Sequence, residues 1–252
     1  MNKLFTISLG QDGDGFKEVI LENTRFKARV GRFTDQHDES AIIELVERQS
    51  GRDLAGTRID AAAWRRELDT AELIADEDTE KSVRLHWPGN EGRPDGEQVF
   101  TIYPDSPVIR VDYIQWFVNI VDISGGGDTW KIYGAEEWVR EYLDYPNHYY
   151  NRVESNIDNI QGPDVEDGGS LNYNGSFIMG VYGSKDQAGW GRVMPVGSIP
   201  IIKLLPWQGK GFEMFPDYRT EHTPFTGYIY TVTGGAEEII STGQLIADGK
   251  LP

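Results

Sequence analysis

Apolar and basic side chains alternate residue by residue in the stretch Phe26-Lys27-Ala28-Arg29-Val30. Successive side chains of a strand point to opposite faces, so this pattern predicts a strand with one buried face and one basic face. The same alternation returns in Ser82–Trp87, where Val83, Leu85 and Trp87 share a face. The local pattern is that of antiparallel β structure.

Short strands separated by turn residues continue along the chain. The further predicted strands are Ile42–Glu47, Gln98–Tyr103, Val108–Ile120, Ser176–Tyr182, Gly189–Pro195, Lys203–Leu205, Gly211–Phe215 and Phe225–Val232. Val108–Ile120 is apolar on both faces, which predicts a central strand with a bulge in it. Helix is predicted at Ala61–Leu68 and, near the C-terminus, at Ala236–Asp248. The expected fold class is all-β: one domain, residues 1–252, forming a large antiparallel β-sandwich with one or two short helices.

Composition narrows the function classes for this chain of 252 residues with no cysteine and a net charge of −17. The absence of cysteine excludes disulfides, thiolate metal sites and a cysteine nucleophile. The negative charge argues against nucleic acids and membranes as partners. Residues 1–9 lack the apolar run of a signal peptide, so the cytoplasm is the default expectation, with a secreted or periplasmic location if the N-terminus was trimmed. The oligomeric state stays open.

Aromatic and turn residues point to a carbohydrate as the substrate or ligand. The chain has 29 glycines, 7 tryptophans and 12 tyrosines. Aromatic faces stack on the C–H faces of pyranose rings, while polar rims satisfy the hydroxyls. The same aromatics also serve as core material, so a purely structural role is the alternative.

Proton-handling side chains cluster between Pro146 and Arg152. His148 titrates near neutral pH and is a candidate acid or base, with Tyr150 on the same face of a strand as its partner. Asn147, Tyr149 and Arg152 are predicted to bind the substrate. The alternative is a polar surface loop.

Glu213 is the third predicted catalytic residue. It lies between Phe212 and Met214, and burial of a carboxylate among apolar neighbours raises its pKa, which suits a general acid or base. An outward-facing glutamate with no catalytic role is the alternative. Four further residues are predicted to contact substrate, two of them tryptophans with glycine within two residues: Trp190, Arg192, Trp207 and His222.

Acidic clusters give weak indications of metal binding. The sequence Asp12-Gly13-Asp14-Gly15 begins like a calcium loop but lacks the later ligands, so a simple turn is predicted. The group Asp35, His37, Asp38 and Glu39 is read as an acidic hairpin loop. The remaining candidates for a structural calcium ion are Asp158, Asp164, Glu166 and Asp167. No catalytic metal or other cofactor is predicted.

An ordered series of short motifs opens the chain. It consists of Leu21-Glu22-Asn23, Phe26–Val30, Ile43-Glu44-Leu45 and Gly51-Arg52-Asp53-Leu54. The series resembles the opening strands of galactose-mutarotase-like "supersandwich" domains. The resemblance implies that fold and a place among aldose epimerases, glycoside hydrolase accessory domains and polysaccharide lyase domains.

Two later segments resemble the epimerase branch of that superfamily. Asn147–Asn151 is similar to the "N-H-x-Y-F-N" segment that holds the catalytic histidine, and Gly211–Pro216 is similar to the strand that carries the catalytic glutamate. The histidine and glutamate are closer in sequence than in that family, and its upstream histidine-containing segment is missing, which argues against epimerase activity. The expected function is therefore a carbohydrate-active enzyme using acid/base proton transfer, either a glycoside hydrolase or a polysaccharide lyase. The alternatives are a non-catalytic carbohydrate-binding or accessory domain and an aldose-epimerase-like protein.

Overall fold

The computed structural model describes most of the chain. The described residues are 4–32, 40–55, 58–62, 68–89, 95–115, 120–124, 130–132, 152–153, 156–157, 160–161, 172–183, 185–195, 198, 201–204, 210–215 and 224–251. The strands are β1 Thr6–Gln11, β2 Lys17–Glu22, β3 Phe26–Arg32, β4 Ser40–Glu47, β5 Arg52–Asp53, β6 Arg58–Ala62, β7 Thr70–Asp76, β8 Lys81–Trp87, β9 Gly96–Ile102, β10 Val108–Gln115, β11 Ile120–Ser124, β12 Trp130–Ile132, β13 Arg152–Val153, β14 Asn156–Ile157, β15 Ile160–Gln161, β16 Asn172–Tyr173, β17 Ser176–Gly183, β18 Gly189–Pro195, β19 Ile201–Leu204, β20 Lys210–Phe215 and β21 Phe225–Val232. One helix follows, α1, at Gly235–Ala247.

These strands form two large antiparallel sheets and a small two-stranded one, β13–β14. The ten-stranded sheet runs β1-β2-β3-β4-β6-β11-β20-β19-β15, with β5 paired to β4. The nine-stranded sheet runs β12-β17-β18-β21-β10-β9-β8-β7, with β16 paired to β17. The prediction of an all-β sandwich with a C-terminal helix is confirmed.

The core lies between the two large sheets, and alternation along the strands builds it. In β3, Phe26, Ala28 and Val30 are buried, whereas Lys27 and Arg29 are only partly so. The nine-stranded sheet contributes equivalent inward rows that include Val83, Leu85, Trp87, Phe100, Ile109 and Val111. Burial of these rows against one another is the main stabilising contribution to the fold.

Two of the expected elements differ from the structure. The predicted strand Val108–Ile120 is two strands, because β10 belongs to the nine-stranded sheet and β11 to the ten-stranded one. The predicted bulge is present, as the β9–β10 register shifts between Tyr113 and Gln115. The helix predicted at Ala61–Leu68 is wrong at its start, where Ala61 belongs to β6; residues 63–67 lie outside the described part.

Helix α1 packs on the outer face of the nine-stranded sheet. Strand β21 contributes buried side chains to both faces of the sheet. Ile229 belongs to the interior core, whereas Tyr230 and Val232 pack with Ile239 of the helix. The Tyr230 hydroxyl donates to the Ile239 carbonyl at 2.7 Å. A Cβ added at Gly243 would lie 2.5 Å from a methyl of Ile178, so the glycine permits this close approach.

Asn23, the asparagine of the Leu21-Glu22-Asn23 motif, connects the two sheets at one end of the sandwich. Its fully buried side chain accepts from the backbone N–H groups of Arg25 and Phe26, which holds the turn between β2 and β3. Its amide donates to the carbonyls of Tyr103 and Ser106, in the turn between β9 and β10, at 2.6 and 2.9 Å. The motif therefore has a structural role in this chain.

The Gly51-Arg52-Asp53-Leu54 motif shapes the β4–β5 hairpin. Gly51 has a φ of +69°, a conformation that favours glycine. The Asp53 carboxylate accepts from the N–H groups of Leu45 and Ala55 at 3.0 and 3.1 Å. Arg52 forms an ion pair with Asp186, in the turn between β17 and β18, and so connects this hairpin to the other sheet.

Candidate functional site

Strand β20 places position 213 on the outer face of the ten-stranded sheet. Phe212 and Met214 are fully buried in the interior core. Because side chains alternate along a strand, position 213 lies on the opposite face. In the backbone register, Glu213 pairs with Val121 of β11 on one side and Lys203 of β19 on the other. The candidate catalytic glutamate therefore occupies an inner strand of the sheet.

A small apolar cluster adjoins this position on the same outer face. It comprises Ala41, Ala61 and Val121, which are buried and separate from the interior core, with Ile43 packed against them. We call these four residues the outer apolar cluster. Val121 is the register partner of both Ala61 and position 213, so the cluster adjoins backbone position 213.

A buried ion network lies on the other side of the same strands. Arg192 of β18 is 0% exposed, and its Nε and Nη2 both donate to the Asp122 carboxylate, the Nη2 bond being 2.7 Å long. Nη2 also donates to Asp60 Oδ1 at 3.1 Å, and Nη1 to the Tyr113 hydroxyl oxygen at 2.9 Å. Such two-pronged guanidinium–carboxylate contacts are among the strongest hydrogen bonds in proteins. One guanidinium thus connects the two sheets through their interior.

Asp60 sits at a bulge that this network holds in place. The β6–β11 register shifts between Val121 and Ile123, and Asp60 has a φ of +57°. Aspartate visits this left-handed region more readily than most residues, because its short polar side chain bonds locally. Here the Asp60 N–H donates to Asp122 Oδ1 at 2.7 Å. The carboxylate of one strand therefore fixes the irregular backbone of its neighbour.

Two further partners of Asp60 come from the nine-stranded sheet. Gln98 Nε2 donates to Asp60 Oδ2 at 2.9 Å, and the Tyr113 hydroxyl donates to Asp60 Oδ1. Gln98 in turn accepts from the Trp87 indole N–H at 3.1 Å. Asp60, Gln98 and Tyr113 are buried, so these bonds offset the cost of removing polar groups from water.

Burial dominates the electrostatics of the network. It raises the pKa of the Asp122 carboxyl, although the Arg192 guanidinium opposes the change. It also raises the pKa of the Tyr113 hydroxyl well above its usual value. Burial alone would lower the pKa of Arg192, but the neighbouring Asp122 and Asp60 charges hold it well above its ordinary value. Arg192 therefore stays a cation between two carboxylates.

The network connects the interior to the outer apolar cluster along the chain. Asp60 directly precedes Ala61, and Val121 directly precedes Asp122. Strands β6 and β11 thus each have one hydrogen-bonded carboxylate that faces the interior and, next to it in sequence, one apolar residue that faces outward. The hydrogen bonds that hold the β6–β11 bulge therefore also fix the backbone of β11 beside position 213.

Two residues predicted to bind substrate lie in the interior instead. Trp190 is 0% exposed and contacts Phe212 edge-to-face, with ring centroids 6.3 Å apart. Arg192 is occupied by the network just described. Both therefore contribute to the packing between the sheets, and we no longer expect them to touch a sugar directly.

Most of the other predicted site residues lie outside the described residues. These are Asn147, His148, Tyr149, Tyr150, Trp207 and His222, together with the calcium candidates Asp158, Asp164, Glu166 and Asp167 and the acidic loop at 35–39. Arg152 is placed in β13 by its backbone. The predicted turn at Asp12 is present, where Asp12 Oδ1 accepts from the N–H groups of Asp14 and Phe16.

Sequence reasoning missed Asp60, Asp122 and Gln98. A signal was available for Asp122, because a lone aspartate between Val121 and Ile123 interrupts an apolar strand. No grouping of histidine and carboxylates suited to a metal ion occurs in the described part of the chain. Among the same residues, no helix is long and apolar enough to cross a bilayer.

Comparisons with known proteins identify the fold. No protein-family model matches this sequence, and no curated protein matches it. Among solved structures, a putative aldose 1-epimerase from Klebsiella pneumoniae subsp. pneumoniae MGH 78578 is similar over 98% of this chain and 88% of its own, with a TM-score of 0.50 and 9% identity. The chain has a galactose-mutarotase-like fold.

A second similar structure is larger than this chain. It is a quadruple mutant of the alpha-N-acetylgalactosaminidase NagBb from Bifidobacterium bifidum, with a TM-score of 0.50 and 11% identity over 92% of this chain. The galactose-mutarotase-like chain spans 39% of that enzyme's length. At these identities the likeness concerns the fold, as the opening motifs of the sequence had indicated.

Proposed function

We propose that this protein is a carbohydrate-active enzyme that works by proton transfer on the outer face of the ten-stranded sheet. The observation that carries the proposal is the position of Glu213 on an inner strand of a galactose-mutarotase-like fold, beside the outer apolar cluster. The two similar structures bear the names of an aldose epimerase and a galactosaminidase, which supports a sugar as the substrate.

Glu213 is the proposed proton-transfer carboxylate. His148 is proposed as the second acid or base and Tyr150 as its partner. The proposed substrate contacts are Asn147, Tyr149, Arg152, Trp207 and His222. The reaction class is hydrolysis of a glycosidic bond or elimination at a uronate.

The test is a turnover assay on neutral and uronate-containing oligosaccharides. New reducing ends report either reaction, whereas the ultraviolet absorbance of an unsaturated uronate reports elimination alone. We expect Glu213→Gln and His148→Ala each to lower turnover on the order of 10²- to 10⁴-fold, the usual contribution of a general acid or base. Glu237→Gln is the control, because that exposed carboxylate lies in α1, on the far side of the molecule.

The assay separates the candidate functions. Wild-type turnover in both variants would rule out the proposed roles of Glu213 and His148. Saturable sugar binding without any product would instead identify a carbohydrate-binding domain.

A further inference from the structure

The sandwich is open at the end where the two large sheets have their terminal strands β1 and β7. Within the described residues β1 pairs only with β2, and β7 only with β8. Residues of both strands line a groove of about 510 Å³, among them Leu9 and Gln11 of β1 and Thr70 and Ala71 of β7. We call this groove the sandwich mouth.

Within the described residues, the interior-facing apolar rows of β1 and β7 each continue to an exposed leucine, and the leucine of β1 lines the sandwich mouth. Ile7 packs against the core, and Leu9, two residues further on the same face of β1, is 46% exposed. On β7, Ala71 likewise packs against the core, and Leu73, two residues further along the strand, is 42% exposed. Their register partners, Val19 and Val83, are fully buried, so the uncovered surface is the edge of the core itself.

The edge of β7 also offers backbone groups for pairing. A terminal strand presents a row of N–H and C=O groups to which an extended segment can add as a further strand. Seven residues of strand span about 23 Å. An added strand with apolar residues at alternate positions would cover Leu73 and Leu9 on one side.

The charge of the β7 edge indicates which kind of segment could bind there. Six exposed carboxylate residues lie on or beside β7: Asp69, Glu72, Asp76, Glu77, Asp78 and Glu80. The segment 69–81 has a single basic residue, Lys81, which already pairs with Asp76. Two basic side chains of neighbouring strands contact Asp69, namely Lys17 of the mouth and His86, so the edge stays acidic on balance. A second copy of this chain, with the same acidic edge and a net charge of −17, would be repelled. A segment with lysine or arginine at alternate positions would be attracted.

We propose that the β7 edge and the sandwich mouth bind an extended segment of a partner protein in which apolar residues alternate with lysine or arginine. The apolar side chains enter the mouth beside Leu9 and Leu73, and the basic side chains meet the carboxylates of β7. The partner adds its backbone to the open edge. This interaction surface lies away from the proposed sugar site and does not depend on it.

Three labelled seven-residue peptides with blocked ends test the proposal by fluorescence anisotropy with the intact protein. The first alternates lysine and valine, the second glutamate and valine, and the third lysine and serine. We expect only the lysine–valine peptide to bind, with an affinity that falls as salt is raised. Leu73→Lys should weaken it about tenfold or more, because the substitution replaces an apolar contact with a charged side chain.

Leu245→Lys is the matched control, since Leu245 is 41% exposed on α1 and should leave binding unchanged. Equal binding of the lysine–serine peptide would show a charge effect without strand addition and would overturn the proposal. So would equal binding of the glutamate–valine peptide, no binding of any peptide, or an equal effect of Leu73→Lys and Leu245→Lys. Sedimentation of the free protein adds a further check, because a dimer that Leu73→Lys dissociates would assign the edge to a second copy instead.

Discussion

Arg192→Met is the sharpest test of the buried ion network. The side chain is 0% exposed and donates to Asp122, to Asp60 and to the Tyr113 hydroxyl. Methionine keeps much of the apolar stem but removes the cation, so two carboxylates remain between the sheets without it. Breaking a buried ion pair on one side costs about 3–5 kcal/mol in the free energy of unfolding. We expect a loss of about 4 kcal/mol at neutral pH, or roughly a 10 °C drop in Tm for a chain of this size.

The loss in the free energy of unfolding caused by Arg192→Met should be larger at higher pH. Burial already raises the pKa of Asp122 against the opposing pull of Arg192, so removing the guanidinium raises it further. A carboxyl whose pKa is higher in the folded than in the unfolded state stabilises the fold at low pH, and this stability is lost as pH rises through the folded pKa. The difference between wild type and Arg192→Met should therefore be larger at pH ~8 than at pH ~5.

Urea denaturation at both pH values measures the effect. Arg110→Met is the control, because Arg110 is 43% exposed and its contact with Asp112 should contribute under about 1 kcal/mol. The triple variant Asp60→Asn, Asp122→Asn and Arg192→Met removes all three charged groups of the network, and much of the stability should return. The reasoning is refuted if Arg192→Met loses no more than Arg110→Met, or loses the same amount at both pH values.

Two further stability predictions follow from the packing. Asn23→Ala removes the four hydrogen bonds of a fully buried side chain and should cost about 3 kcal/mol by urea denaturation. Exposed Thr24→Ala is the control, and an equal effect of the two would contradict the connecting role of Asn23. Gly243→Ala should cost about 1–3 kcal/mol because its Cβ would lie 2.5 Å from Ile178, which outweighs the better helix preference of alanine. Gly13→Ala, with nothing within 4 Å, should change stability little, and the same Tm in both variants would contradict the close packing of α1.

The candidate site could be predicted from the sequence only in part. Apolar residues flank Glu213, so its neighbours were expected to be buried, and the structure places Phe212 and Met214 in the core. Alternation cannot say which sheet a strand joins, however, and Val108–Ile120 proved to be two strands in different sheets. Trp190 looked like a sugar platform because glycines flank it, yet its indole is buried in the interior core. Gly191 permits close packing on the opposite face, under α1, where an added Cβ would lie 2.2 Å from the Tyr230 ring.

The sequence by itself determined the fold class, because the alternation of side chains in Phe26–Val30 and its repeats is a local property that leaves each strand one face to bury. It also indicated the galactose-mutarotase-like fold, since Asn23 and Asp53 make local turns that short motifs record. Only the tertiary structure decided that Asp60, Asp122 and Arg192 meet, because they come from strands far apart in sequence. It alone placed Glu213 beside Val121, since register between distant strands is set by packing and not by local sequence.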